Sequence, residues 1–178
     1  MTRPSTGLDY CSSRIAGTSP VDLDDLYGSR IMVESLAIAV STQRASAEDL
    51  VRLRELLVEM DRVALTQDVA AWEVPHGEFH DLLIRHVGDR LRRTAADLRD
   101  HGRRYRAQLL TLPLAWEQGA REHTDIVDAV AARDSTRAAE LLALHYARTA
   151  LTLITRLAPQ HQASSVTTAL QFVQCHRP

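Results

Sequence analysis

The residues of this chain best suited to chemistry are four histidines. His76 and His80 stand four apart in Trp72-Glu-Val-Pro-His-Gly-Glu-Phe-His80. His123 follows in Arg121-Glu-His-Thr-Asp-Ile126, and His145 in Leu144-His-Tyr146. Helical residues four apart share a face with Cβ atoms about 6 Å apart, so the first pair is spaced to chelate one ion. His123 takes an apolar-stripe position between Ala120 and Val127, and His145 has Leu141 and Leu142 one turn before it. Taken singly, each reads as a core-edge histidine with one hydrogen bond. Four imidazoles from three helices sharing one core call for a common reason, and a bound divalent transition metal is the most economical one. His86, His101, His161 and His176 fall at a helix end, on a polar face or in the tail, and read as solvated.

A second polar intrusion lies in the first helix. Arg30 and Glu34 are four apart, on the side of Leu26, Val33 and Ala37. A guanidinium there is costly unless paired. Two readings stay open: an internal Arg30–Glu34 ion pair, or Arg30 as a two-pronged anchor for a ligand carboxylate. Arg90, Arg92, Arg93, Arg99, Arg103, Arg104 and Arg106 crowd one later helix and mostly avoid its apolar stripe, which reads as a solvated face; Tyr105 and Arg106 are the two expected to turn inward.

Positioning these side chains requires long amphipathic helices. Apolar residues recur at helical spacing through about six segments, and no segment reads as a convincing strand. The first runs from Asp22 to about Gln43, and the second opens on a capping box at Ser46-Ala-Glu-Asp49 with the stripe Leu50, Leu53, Leu57, Met60, Ala64. The third spans Asp68 to Val87, with Gly88 as its C-cap and Pro75 marking a kink or a fresh start. The fourth follows Asp89 and ends before Pro113, the fifth carries Trp116 to Val130, and the sixth begins near Asp134. Short connections between such helices specify an all-α antiparallel bundle with a metal or ligand site in its core. Residues 1–21 read as a flexible arm, 22–157 as the folded domain, and 158–178 as a tail in which Thr168 to Gln174 forms at most a docking turn.

Bulk properties narrow the function. A chain of 178 residues with 45% apolar and 25% charged residues is an ordinary globular domain, and its net charge of -2 gives no electrostatic case for nucleic acid or a membrane surface. All 21 basic residues are arginine, which reads as codon bias. No apolar run reaches the roughly 20 residues of a membrane span, and the first 20 lack the core of a secretory signal. Cys11 and Cys175 lie in opposite tails and make no disulfide framework, so a reducing cytoplasm is expected. There is no phosphate loop, nucleophile elbow or CxxC, and His76-Gly-Glu-Phe-His80 is not HExxH, because Glu78 is poorly placed for that motif's base.

Several short motifs occur in a recognisable order: Asp25-Leu-Tyr-Gly-Ser-Arg30, Glu34, Glu78-Phe-His80, Glu122-His123, Ala132-Arg-Asp134 with Ala138-Ala139, and His145. In this order and spacing, over about residues 22–157, the chain resembles the FCD domain, the C-terminal effector domain of FadR-type GntR transcription regulators. The resemblance implies an all-helical antiparallel bundle. It also implies a divalent ion, typically zinc or nickel, held by His76, His80, His123 and His145, with a small carboxylate effector completing the shell and held by Arg30. Two departures matter. His76 stands where the family usually has Asp or Asn, and an all-nitrogen set favours Zn, Ni, Cu or Fe(II) over Mg or Ca and leaves the ion a stronger Lewis acid. The winged helix-turn-helix of full-length members is missing, because only 21 residues precede Asp22 and they show no such pattern. A chain of this kind is expected not to bind DNA directly; either a longer gene was cut or this is a free-standing copy of the effector fold, and Met1 with the non-linker character of the opening residues favours the second.

Three functions fit. The first is metal-dependent binding of a small organic acid, with Arg30, Glu34, Tyr27, Tyr105 and Arg106 around the ligand and output through dimer contacts, most simply a homodimer. The second is a metalloenzyme recruited from this fold, in which Tyr27, Glu34 or Tyr105 facing the ion serves as acid or base in hydrolase, lyase or isomerase chemistry. The third is an interaction bundle with a vestigial site.

Overall fold

Ser19 opens the first helix by accepting a hydrogen bond from the Asp22 amide (3.4 Å) while Pro20, whose ring fixes a helical φ, begins the first turn. The computed structural model describes residues 19–112 and 114–175. The expected arm therefore falls almost wholly outside the described residues, as do Cys11 and His176. Among those described there are seven helices: α1 (Pro20–Thr42), α2 (Ala47–Ala64), α3 (Val69–Leu83), α4 (Asp89–Leu109), α5 (Ala115–Ala131), α6 (Ser135–Leu157) and α7 (Ser164–Cys175). No helix of the described residues is long and apolar enough to cross a membrane.

Local chemistry sets the boundaries. The Ser46–Asp49 capping box forms as read, each side chain accepting from the other's backbone amide at 3.1 and 2.8 Å. Asp68 and Asp134 cap α3 and α6 more simply, their side chains accepting from the Ala71 and Arg137 amides, each at 2.9 Å. Pro75 does not restart α3, which runs through it as one helix. Gly88 is not the C-cap of α3, because that helix ends at Leu83 with Ile84 as its C-cap; Gly88 sits at the N-cap of α4 with a φ of -69°, where no left-handed conformation is needed.

Cross-contacts fix the direction of packing. Gln43 reaches Ser135, Ser35 reaches the Ala139 carbonyl, and Glu34 meets Tyr146, so rising number along α1 meets falling number along α6. Asp22 with Tyr105 and Arg30 beside Gly102 make α1–α4 antiparallel too, and Arg52 with Glu78 beside Asp49 with Arg85 do the same for α2–α3. The long α1 is the spine, burying Leu23, Tyr27, Ile31 and Ile38 against its neighbours. The core of apolar residues is one continuous cluster from Leu23 to Ala169.

The expected docking turn is instead the twelve-residue α7. Its stripe of Val166, Ala169, Leu170 and Val173 has helical spacing, but so short a segment is marginal without tertiary contacts. The buried Asp24 supplies one of these, its carboxylate accepting from the amides of Ser165 (3.2 Å) and Val166 (2.9 Å) at the α7 N-terminus. Close approach supplies another. A Cβ on Gly28 would lie 2.9 Å from the Ser165 carbonyl carbon, so α1 needs glycine there. Gly28→Val is expected to push α7 off α1 and cost about 1–3 kcal/mol. Urea unfolding reads the cost, and faster amide exchange confined to residues 164–175 reads the place; unchanged exchange there refutes the assignment.

Candidate metal centre

His76 and His80 come from α3, His123 from α5 and His145 from α6, and all four are buried. One nitrogen of each lies within 4.8 Å of one nitrogen of every other. Within the set, His76 Nε2 and His80 Nε2 stand 3.1 Å apart. Nitrogens about 2.0–2.1 Å from a common ion are separated by roughly 3–3.4 Å at right-angle to tetrahedral geometry, so this spacing suits shared coordination.

The outer nitrogens decide which lone pairs face inward. His80 Nδ1 lies 3.0 Å from the Tyr146 hydroxyl, and that hydroxyl donates to Glu34 Oε2 at 2.6 Å. Burial first, and then the Glu34 charge, push the Tyr146 phenol well above its ordinary value, so it keeps its proton and donates it to Glu34. His80 must then donate from Nδ1–H, which leaves the Nε2 lone pair free. His145 repeats the arrangement with Nδ1 2.7 Å from Glu122 Oε2. Burial raises the Glu122 carboxyl, but the His145 hydrogen bond and the charges of His145 and Arg148 outweigh it and hold it below the ordinary range. An ionised Glu122 accepts from Nδ1–H, and His145 Nε2 is the free nitrogen. His123 Nε2 is buried with no hydrogen-bond partner in the protein; His76 Nδ1 is likewise unpartnered, but it lies on the far side of the ring from the Nε2 that faces His80. A buried, unpartnered His123 Nε2, together with His76 Nε2 and two nitrogens whose free lone pairs are fixed from behind, fits a divalent transition ion as the missing partner.

Burial, and then the neighbouring positive groups, hold His76, His80 and His123 well below the usual histidine value. The folded metal-free chain thus resists protonating them, whereas the unfolded chain takes up protons below about pH 6.5. Stability on their account is full above that pH and falls as pH drops below it, by up to about 1.4 kcal/mol per pH unit for each ring. Urea midpoints of chelator-treated protein should therefore drop between pH 7.5 and 5.5, and equal midpoints would contradict this placement.

Around the rings the other expected residues divide. Arg30 forms the internal pair, Nε to Glu34 Oε1 at 2.8 Å, with its guanidinium 4.0 Å above the Tyr146 ring. Its Nη2 and the Tyr27 hydroxyl are buried without partners. Arg106 turns inward as expected and grips Glu73 with Nε and Nη2 at 2.8 and 2.7 Å. A Cβ on Gly102 would lie 3.1 Å from Arg106 Nη1 and 3.2 Å from Arg30 Nη1, so this glycine lets two guanidinium groups approach one point. The Tyr105 ring is buried, but its hydroxyl donates to Asp22 at 2.6 Å rather than joining the histidines.

Three solvated readings are overturned. Arg99 is buried, because α4 turns it towards Asp81 of α3, 2.7 Å away. His86 is half-buried and bonded to Asp49 at 2.7 Å. His161 is half-buried, with Nε2 3.6 Å from the Asp24 carboxylate that caps α7. His101 is exposed, as read. Sequence reasoning missed Tyr146, Glu122 and Glu73. The first two adjoin His145 and His123 in sequence, but each serves a histidine of another helix, which adjacency does not signal.

A cavity of about 40 Å³ lies against His76, His123 and His145, bounded by Arg106 and by Trp72 and Trp116. No curated protein matches the chain. Residues 25–148 match the family model of the FCD domain. With that match over most of its length, the chain belongs to the FCD domain family, the ligand-binding regulatory domains associated with GntR-type regulators.

Proposed function

We propose that this domain binds a small carboxylate in a metal-dependent way. The observation that carries the reading is the convergence of four buried imidazole nitrogens, within 4.8 Å of one another, beside a cavity in an FCD fold. His76, His80, His123 and His145 would hold a divalent ion, with Zn or Ni best suited to an all-imidazole set and Fe or Cu also compatible. When bound, the ion supplies a Lewis-acidic position for a carboxylate oxygen. The chain supplies the rest. Arg106, already oriented by Glu73, borders the cavity and offers positive charge to the acid. Arg30 Nη2 and the Tyr27 hydroxyl hold unspent donors one layer deeper, while Glu34 is committed to Arg30 and Tyr146. Tyr105 is engaged by Asp22 and adds no group to the ligand.

Calorimetry tests the reading. Metal-loaded protein should take up acetate and larger monocarboxylates, and chelator-stripped protein should not. Failure to retain about one equivalent of metal per chain through dialysis, or equal acid binding with and without metal, overturns it.

A further inference from the structure

The chain has only two tryptophans, and both line the cavity beside the histidines. Trp72 stacks on the His76 ring with centroids 4.1 Å apart, and Trp116 stands edge-on to Trp72 at 5.5 Å. Leu109, Leu110 and Ala115 complete the wall. The polar groups there are mostly spent. Trp116 Nε1 donates to the Leu110 carbonyl, and the Thr149 hydroxyl to the His145 carbonyl, each at 3.1 Å. Arg106 uses Nε and Nη2 on Glu73 and Nη1 on the Arg99 carbonyl. Within this cavity, polar character is thus confined to the end where Arg106 and the imidazoles meet, and the rest of its wall is mostly aromatic and aliphatic.

Size adds a second constraint. The cavity of about 40 Å³ adjoins another of about 80 Å³ that shares Leu109, Ala115, Gly119, His145 and Thr149 with it and reaches the Glu122–Arg148 ion pair. At roughly 10–15 Å³ for each water-sized group, the two admit on the order of three and six such groups.

We infer that the acid is a monocarboxylate with a flat apolar body of about benzoate size, its carboxylate at the imidazole–Arg106 end and its body between Trp116 and the leucines. This rests on the metal-dependent reading above and names its ligand class. Hydroxy acids and di- or tricarboxylates are disfavoured, because a hydroxyl pressed on the Trp116–leucine wall loses water and gains no partner, and a second carboxylate would find only Arg148, already paired with Glu122, at the far end of the second cavity. An aromatic body gains both apolar burial and ring contacts with the indoles.

The two indoles make the test direct. Metal content is measured first. Zinc-loaded protein, whose ion does not quench indole emission, is then titrated with benzoate, hexanoate, acetate, glycolate and citrate, following tryptophan fluorescence and heat. Benzoate should bind at least tenfold tighter than acetate and shift the emission, with glycolate and citrate no tighter than acetate. Trp116→Ala should erase the benzoate advantage over acetate, and Trp116→Phe should restore most of it. Metal retained and acetate bound, but with citrate or glycolate equal to benzoate or Trp116→Ala without effect, overturns this inference and spares the metal-dependent reading. Loss of metal, or no acid bound by loaded protein, overturns both.

Discussion

Arg30→Met should cost the chain about 3–5 kcal/mol, the usual result of breaking a buried ion pair from one side. The substitution strands Glu34, which has 0% exposure and whose remaining hydrogen bond comes from the neutral Tyr146 hydroxyl. It also removes the cation stacked on the Tyr146 ring. The double variant Arg30→Met with Glu34→Leu removes both charges and should recover much of the loss, because apolar replacements of a buried pair are often close to neutral. A urea-unfolding double-mutant cycle measures the coupling. A cost below about 1 kcal/mol for Arg30→Met, or a double variant no more stable than the single, would show that the pair is not the buried, mutually dependent unit described here. The cycle also separates stability from function. The double variant is folded but no longer offers Tyr146 a carboxylate, so any loss of metal affinity in it reports on the orientation of His80.

The sequence carried the helices and the four histidines because both are local patterns. Ser46 with Asp49 announces a helix start within four residues, and His76 with His80 announces a shared face within one turn. The all-helical bundle follows from periodicity alone. What periodicity leaves out is partnership at long range. Arg99 and Arg106 have the same residue type in the same charge-rich helix, yet one meets Asp81 and the other Glu73, and only the fold of α3 against α4 brings those acids close. α7 escaped for the same reason, since its cap is Asp24, far back in α1. Even the stripe of α2 lies slightly off the bearing its sequence suggests. Leu53 and Met60 are buried as expected, but Leu56 and Val63 go deeper than Leu57 and Ala64, because the position of α3 and α5 decides which edge of a broad apolar face is covered.

The same contrast between local pattern and distant partner predicts how metal affinity responds to mutation. His80→Ala deletes a donor nitrogen and should weaken zinc or nickel binding by more than about a hundredfold, beyond the range typical of lost outer partners. Tyr146→Phe keeps the ring under Arg30 but removes the oxygen that accepts from His80 Nδ1–H, so the imidazole loses its fixed tautomer and orientation. Its expected cost is about 10–100-fold in affinity. Glu122→Gln should fall in the same range through His145. His101→Ala, exposed and outside the cluster, should bind as the parent does. Competition against a chromophoric chelator gives all four affinities, and nickel quenching of Trp72, stacked on His76, locates the ion independently. Parent-like affinity in His80→Ala would remove the histidine centre as the metal site. Parent-like affinity in Tyr146→Phe alone would leave the centre standing and refute the account of how His80 is held, since a purely packing role for the phenol survives loss of its oxygen.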